Sequence, residues 1–119
     1  MLENKFYKIL NINQSDDCSY SIIIQLCVDC DVYNGHFPGH AIAPGVCNIQ
    51  LVRECVEKIL SKSLQIDNIK QVKFLTLVEP SIGNVYSVNL SINKSDKIDV
   101  VAHMSLDTTD CMTIKMSLI

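Results

Sequence analysis

Apolar and polar residues alternate with a period of two along four separate stretches, and side chains at every second position of an extended strand share one face. Tyr20, Ile22, Ile24, Leu26 and Val28 alternate with Ser21, Ile23, Gln25, Cys27 and Asp29. Tyr86, Val88, Leu90 and Ile92 are interleaved with Ser87, Asn89 and Ser91. Ile98, Val100, Ala102, Met104 and Leu106 oppose Asp99, Val101, His103, Ser105 and Asp107, while Met112, Ile114, Met116 and Leu118 oppose Thr113, Lys115 and Ser117. Each stretch has a dry and a wetter face, which predicts an antiparallel sheet covered on one side. The turn formers of Asn93-Lys94-Ser95-Asp96 and Asp107-Thr108-Thr109-Asp110 would join hairpins. Ile69 to Val78 reads as a further strand whose alternation changes phase near Leu75, the mark of a bulge or of a fully buried half. A short first strand is expected over Phe6 to Ile12.

One segment has a different period. From Pro44 to Leu64, the side chains of Val46, Ile49, Val52, Cys55, Val56, Ile59 and Leu60 fall within one half of a cylinder, with Glu54, Glu57, Lys58 and Ser61 mainly opposite. Pro44 suits a first helical turn, where its missing N–H costs nothing. One helix and a sheet of about five to six strands both have apolar surface to bury, and wrapping the sheet around the helix buries both, an α+β arrangement. No repeat, low-complexity tract or linker divides the 119 residues, so 1–119 reads as a single domain.

Composition narrows the function without naming it. With 48% hydrophobic and 19% charged residues the chain is not globally disordered. A net charge of −3 offers no basic field for a nucleic-acid backbone, so no nucleic-acid partner is expected. The first residues, Met1-Leu2-Glu3-Asn4-Lys5, lack a charged-then-apolar leader, and the run Ile22 to Val28 is too short to span a bilayer. These features predict a cytoplasmic chain whose six cysteines are reduced and mostly buried. Cys27-Val28-Asp29-Cys30, near His36 and His40, raises the question of zinc. Strand residues three apart face opposite ways, so the two sulfurs would converge only if the strand broke at Asp29, and no metal is expected. Cys47 and Cys55, eight apart on the helix, read as core packing.

The stretch from Asn34 to Val46 (NGHFPGHAIAPGV) holds two of the three prolines, three of the four glycines and two of the three histidines. A loop so fixed, leading into a helix N-terminus, presents free amide donors to an electron-rich group. Histidine suits proton abstraction near neutrality. A thioester oxygen near the Gly45 and Val46 amides and an acidic carbon near His36 would form an enolate-stabilising site. His40 reads as a solvent-exposed loop residue, and His103, on the wetter face of its strand, as structural or exposed.

His36-Phe37-Pro38-Gly39 followed by Pro44-Gly45-Val46 and a helix resembles the signature of the hot-dog-fold 3-hydroxyacyl-(acyl-carrier-protein) dehydratases of fatty acid synthesis. Val72-Lys73-Phe74, with Glu79-Pro80 and Gly83 after it, is similar to the family's central strand and following turn. The resemblance implies an antiparallel sheet wrapped around one central helix, assembled as a homodimer or a larger multiple of dimers with active sites between subunits. It also implies a hydro-lyase that reversibly removes water from a 3-hydroxyacyl thioester, delivered by an acyl-carrier protein or coenzyme A. No cofactor is needed beyond the phosphopantetheine arm, which is part of the substrate. By position, His36 matches the catalytic histidine and the Gly45 amide a donor to the thioester carbonyl. Phe37, Gly39, Pro44 and Val46 belong to the substrate-binding loop.

The sequence departs from that pattern at Gln50, fourteen residues after His36, where the family places a Glu or Asp on the helix. A carboxylic acid can protonate a departing hydroxyl, whereas a carboxamide can only orient it or a water molecule. Dehydration with His36 moving both protons and Gln50 orienting, thioester hydrolysis through an oriented water, and acyl binding without turnover all stay open. A further possibility uses Glu54, one turn beyond Gln50. Ala41 replaces the family's usual proline. Arg53, Lys58, Lys62, Lys70 and Lys73 offer a basic patch for an acidic carrier protein, or simply a solvated face.

Overall fold

In the computed structural model, which describes residues 2–27, 43–78 and 84–119, the alternating stretches pair into a single sheet. Its strands are β1 (Tyr7–Gln14), β2 (Ser19–Leu26), β3 (Ile66–Phe74), β4 (Val85–Lys94), β5 (Ile98–Leu106) and β6 (Thr109–Leu118). One helix, α1 (Gly45–Leu60), stands between β2 and β3 among the described residues. The strand order is β1-β2-β4-β5-β6-β3 and every pairing is antiparallel.

Register carries one row of apolar side chains across the sheet. Ile12 pairs with Ile22, Ile22 with Val88, Val88 with Met104, Met104 with Met112 and Met112 with Phe74. Directly opposed residues share a face, so this row marks the inner side. Its middle members are fully buried and join Leu51, Val52, Cys55 and Val56 of α1 in one core. Each such side chain contributes about 1.5–3 kcal/mol on burial, and together they hold helix and sheet in place. The wetter faces of β4 and β5 are as expected: Asn89, Ser91 and His103 are exposed.

The chain reverses where turn chemistry allows. Between β1 and β2 the Asp16 carboxylate accepts from the Cys18 and Ser19 amides, both at 2.8 Å, which holds its carboxyl below the usual range. The β5–β6 turn is tighter than the four residues anticipated, because β6 already starts at Thr109 and Asp107 takes a left-handed φ of 54°.

Four boundaries differ from the sequence reading. Ser61 adopts the left-handed conformation (φ 55°, ψ 44°) and ends α1 four residues before Leu64. β1 runs two residues beyond Ile12. β3 begins at Ile66 and stops at Phe74, with irregular register between Ile66 and Asn68 and between Ile69 and Gln71. The phase change near Leu75 is therefore the end of the strand, and Leu75 and Leu77 are exposed.

The buried face of the helix is also rotated, by about 80° at 100° per residue. Val46, placed by its apolarity on the inner stripe, is 70% exposed, while Asn48, Leu51 and Glu54 are buried. The N-terminal residues cause part of this: the Leu2 and Glu3 amides bond to Glu54, clasping a second side of α1 that a pattern confined to the helix cannot reveal.

Candidate active site

The second half of the singled-out motif builds the start of α1. Pro44 is buried and extended (ψ 139°), and its carbonyl accepts from the Cys47 and Asn48 amides at 3.0 and 3.2 Å. Pro44 supplies no side-chain cap and the first turn has no acidic residue. The Gly45 and Val46 N–H groups have no backbone acceptor among the described residues. Amides without an acceptor among the described residues and the positive end of the helix dipole thus coincide at Gly45 and Val46. His36, Phe37, Gly39 and His40 lie outside the described residues, as does Cys30; Cys27 sits half-buried just past β2.

Phe74 closes over this helix end. A Cβ added to Gly45 would stand 2.7 Å from its Cζ and 2.8 Å from its Cε1, so only glycine admits the ring at this distance. The ring is nevertheless 55% exposed. It is the last member of the inward row, on the edge strand β3.

Gln50 lies one turn further along. It is half-buried, and its Nε2 donates to Glu54 Oε2 at 2.8 Å. Among the described residues Glu54 collects four donors: the Leu2 amide (3.1 Å to Oε1, 2.9 Å to Oε2), the Glu3 amide (3.0 Å), the Tyr7 hydroxyl (3.0 Å) and Gln50. Burial alone would push this carboxyl up, but the bonds from Leu2, Gln50, Tyr7 and Glu3 bring it below the ordinary range. These donors favour the ionised form of Glu54, which fits an acceptor better than the acidic role that position 50 lacks. Its charge also acts on its neighbours. Burial, then Cys55 and Glu54, raise the Tyr7 hydroxyl above its usual range, and burial with Glu54 pushes the Cys55 thiol up to about 12. Sequence alone did not single out Tyr7; the signal present was the polar pair Gln50 and Glu54 at helical spacing.

The basic patch is largely spent on internal pairs. Arg53 donates to the Leu64 carbonyl at 2.8 Å and pairs with Glu57 at 3.6 Å, Lys58 pairs with Glu3 at 3.7 Å and Lys70 with Asp99 at 3.4 Å. A cleft of about 820 Å³ beside the C-terminal half of α1 is lined by these mixed charges, including Glu3, Arg53, Glu57 and Lys58. It lies away from Gly45 and Val46. Among the described residues no helix is long and apolar enough to cross a membrane.

The family model described as ApeI-like, ApeI dehydratase, matches residues 12–113. A 3-hydroxyacyl-[acyl-carrier-protein] dehydratase, FabZ, of Levilactobacillus brevis is 30% identical over 92 residues, 71% of this chain and 58% of that protein. The chain thus spans less than two thirds of that relative's length. Among solved structures, the dehydratase heterocomplex ApeI:P from Xenorhabdus doucetiae superposes with a TM-score of 0.79 at 23% identity, covering 92% of this chain and 95% of that one. A mutant thioesterase from Pseudomonas aeruginosa superposes with a TM-score of 0.65 at 10% identity, covering 92% and 78%. These likenesses share one architecture, the six-stranded antiparallel sheet with a central helix. With the family model covering most of its length and this architecture observed, the chain belongs to the ApeI-like dehydratase family and has the hot-dog fold.

Proposed function

We propose that this chain catalyses the reversible dehydration of a 3-hydroxyacyl thioester to a 2-enoyl thioester. The observation that carries the reading is the helix start after Pro44, where the Gly45 and Val46 amides lack acceptors among the described residues. In the sequence four residues separate His36-Phe37-Pro38-Gly39 from Pro44, in a chain of a dehydratase family. The thioester carbonyl accepts from those amides, which lowers the energy of the enolate formed when the α-carbon loses its proton. His36 takes that proton. The β-carbon–oxygen bond then breaks as the enolate collapses to the alkene, and protonated His36 returns the proton to the departing hydroxyl, giving water. Gln50 orients the hydroxyl, while Phe37, Gly39 and Pro44 shape the approach of the acyl chain. The phosphopantetheine arm of an acyl-carrier protein or coenzyme A belongs to the substrate, and the reaction draws on no metal or other cofactor.

A homodimer, or a larger multiple of dimers, fits the state of β3. It is an edge strand on which every residue but Val72 is exposed, Ile66, Ile69 and Phe74 among them. A second copy along this edge would cover apolar side chains and pair open backbone groups. The cytoplasm is the compartment this reading expects for the reaction.

The test is hydration of a 2-enoyl thioester by the purified chain, read as loss of the conjugated-thioester absorbance. Activity lost in His36→Ala supports the reading; full activity in that variant overturns it. One observation favours a second reading. Gln50 is a carboxamide where the dehydratases have an acid, and the fold also superposes on a thioesterase. Free thiol released from saturated acyl thioesters, without exchange at the α-carbon, would establish hydrolysis instead. Carrier binding with neither reaction would leave an acyl-binding subunit.

A further inference from the structure

A glutamine at a catalytic position is ambiguous, because its carboxamide can present either a donor or an acceptor. Glu54 removes the ambiguity. An ionised carboxylate only accepts, so the end of Gln50 that meets Glu54 Oε2 at 2.8 Å is the NH2 group. Glu54 cannot turn to accommodate the other end, since the Leu2 and Glu3 amides and the Tyr7 hydroxyl hold it from the opposite side. Gln50 Oε1 has no hydrogen-bond partner among the described residues and is not among the buried unpartnered atoms.

We propose that Glu54 is a positioning residue that fixes the Gln50 carboxamide with Oε1 outward, making position 50 an obligate hydrogen-bond acceptor for the hydroxyl, or the water, at the β-carbon of the acyl chain. The assignment rests on the dehydratase reading of the site and deepens it by naming the substrate feature that is read. A 3-hydroxyacyl chain, or a 2-enoyl chain with its water, supplies the donor Oε1 needs, whereas a saturated acyl chain supplies none. Gln50 holds the hydroxyl by its hydrogen and leaves an oxygen lone pair for the proton that His36 returns. The two helix positions also act as one unit. A carboxylate introduced at 50 alone would meet the Glu54 carboxylate at hydrogen-bond distance, while an exchange of both residues restores one donor facing one acceptor.

The experiment has two arms on the full chain. In the first, the side-chain amide of Gln50, assigned by its disappearance in Gln50→Leu, is followed by 15N–1H NMR. A downfield amide proton is expected that moves as acid protonates Glu54 and reverts to an ordinary shift in Glu54→Gln. In the second, hydration of the trans-2-octenoyl thioester of N-acetylcysteamine is measured for Gln50→Glu, Glu54→Gln and the double exchange Q50E/E54Q. Each single variant is expected to lose about tenfold or more in kcat with KM within about twofold, and the double exchange to recover most of it. Gln50 amide shifts indifferent to Glu54, or a double exchange no better than the product of the singles, overturns the assignment. Absence of hydration in the wild-type chain would count against the dehydratase reading alone, and the amide shift would still decide whether Glu54 positions Gln50.

Discussion

The Phe74 ring rests on Gly45 at a distance that no other amino acid at that position would permit, 2.7 Å from where a Cβ would stand. Two opposing effects therefore meet in Gly45→Ala. Alanine favours helix by up to about 1 kcal/mol, whereas forcing the ring aside costs about 1–3 kcal/mol. The sign is expected to depend on residue 74. Gly45→Ala should lower the midpoint of denaturant unfolding in the natural chain and leave it equal or higher in a Phe74→Ala background. Equal effects in both backgrounds would show that the ring does not press on the helix start.

The Glu54 network predicts an acid limb in stability. The folded carboxyl lies below its ordinary value, so its ionised form is favoured by folding. That contribution is fully present above the unfolded pKa, about 4.3, and is lost as pH falls through the lower folded value. Unfolding free energy measured from pH 7 to pH 3 should therefore fall at the acid end. The part of that fall due to Glu54 should vanish in Glu54→Gln. At neutral pH the same substitution removes a charged acceptor from a site that is 2% exposed and is expected to cost about 2–4 kcal/mol. Tyr7→Phe deletes one donor and should cost about 1 kcal/mol.

How far the sequence reads is clear from these residues. The inward rows of β4, β5 and β6 were legible because one side of the sheet faces the core along their full length, and period two survives wherever that holds. β3 was misread because every residue on it but Val72 is exposed in the single chain, so its apolar residues obey no single phase. Val46 and Glu54 exchanged expected environments for a related reason. Helical periodicity reports apolarity around one cylinder, whereas the Leu2 and Glu3 amides that bury Glu54 come from backbone more than fifty residues away and have no side-chain signature. Of the site, the helix start at Gly45 was legible from Pro44 and the motif, but the link between Gln50 and Glu54 was legible only as a spacing.

The open edge at β3 gives a prediction about assembly. If a second copy covers it, a charge at Ile69, which pairs with Met116 and is 39% exposed, must be desolvated or must break the contact. Ile69→Lys is expected to weaken self-association by about 1–2 kcal/mol or more while leaving the single-chain fold intact. Sedimentation velocity across a concentration series, with far-UV circular dichroism as the control on folding, separates the two effects. An unchanged association constant would place the contact on another surface.

Asn48 faces the core from the first turns of α1, 2% exposed, and its buried Oδ1 has no hydrogen-bond partner among the described residues. A buried unpaired acceptor costs about 1–3 kcal/mol, and that cost disappears when an apolar group of similar shape replaces it. Asn48→Leu is therefore expected to match or exceed the natural chain in unfolding free energy, although a polar group is lost. Asn48→Asp should do the reverse, since it would bury a charge beside Leu51 and Val52 with no partner for it among the described residues. The helix lies two turns short of Glu54 here, so neither change disturbs the clasp of the N-terminal residues. A leucine variant that lost more than about 1 kcal/mol would mean that Oδ1 has a working partner in the folded protein, and that the residue is kept for a bond rather than tolerated in spite of one.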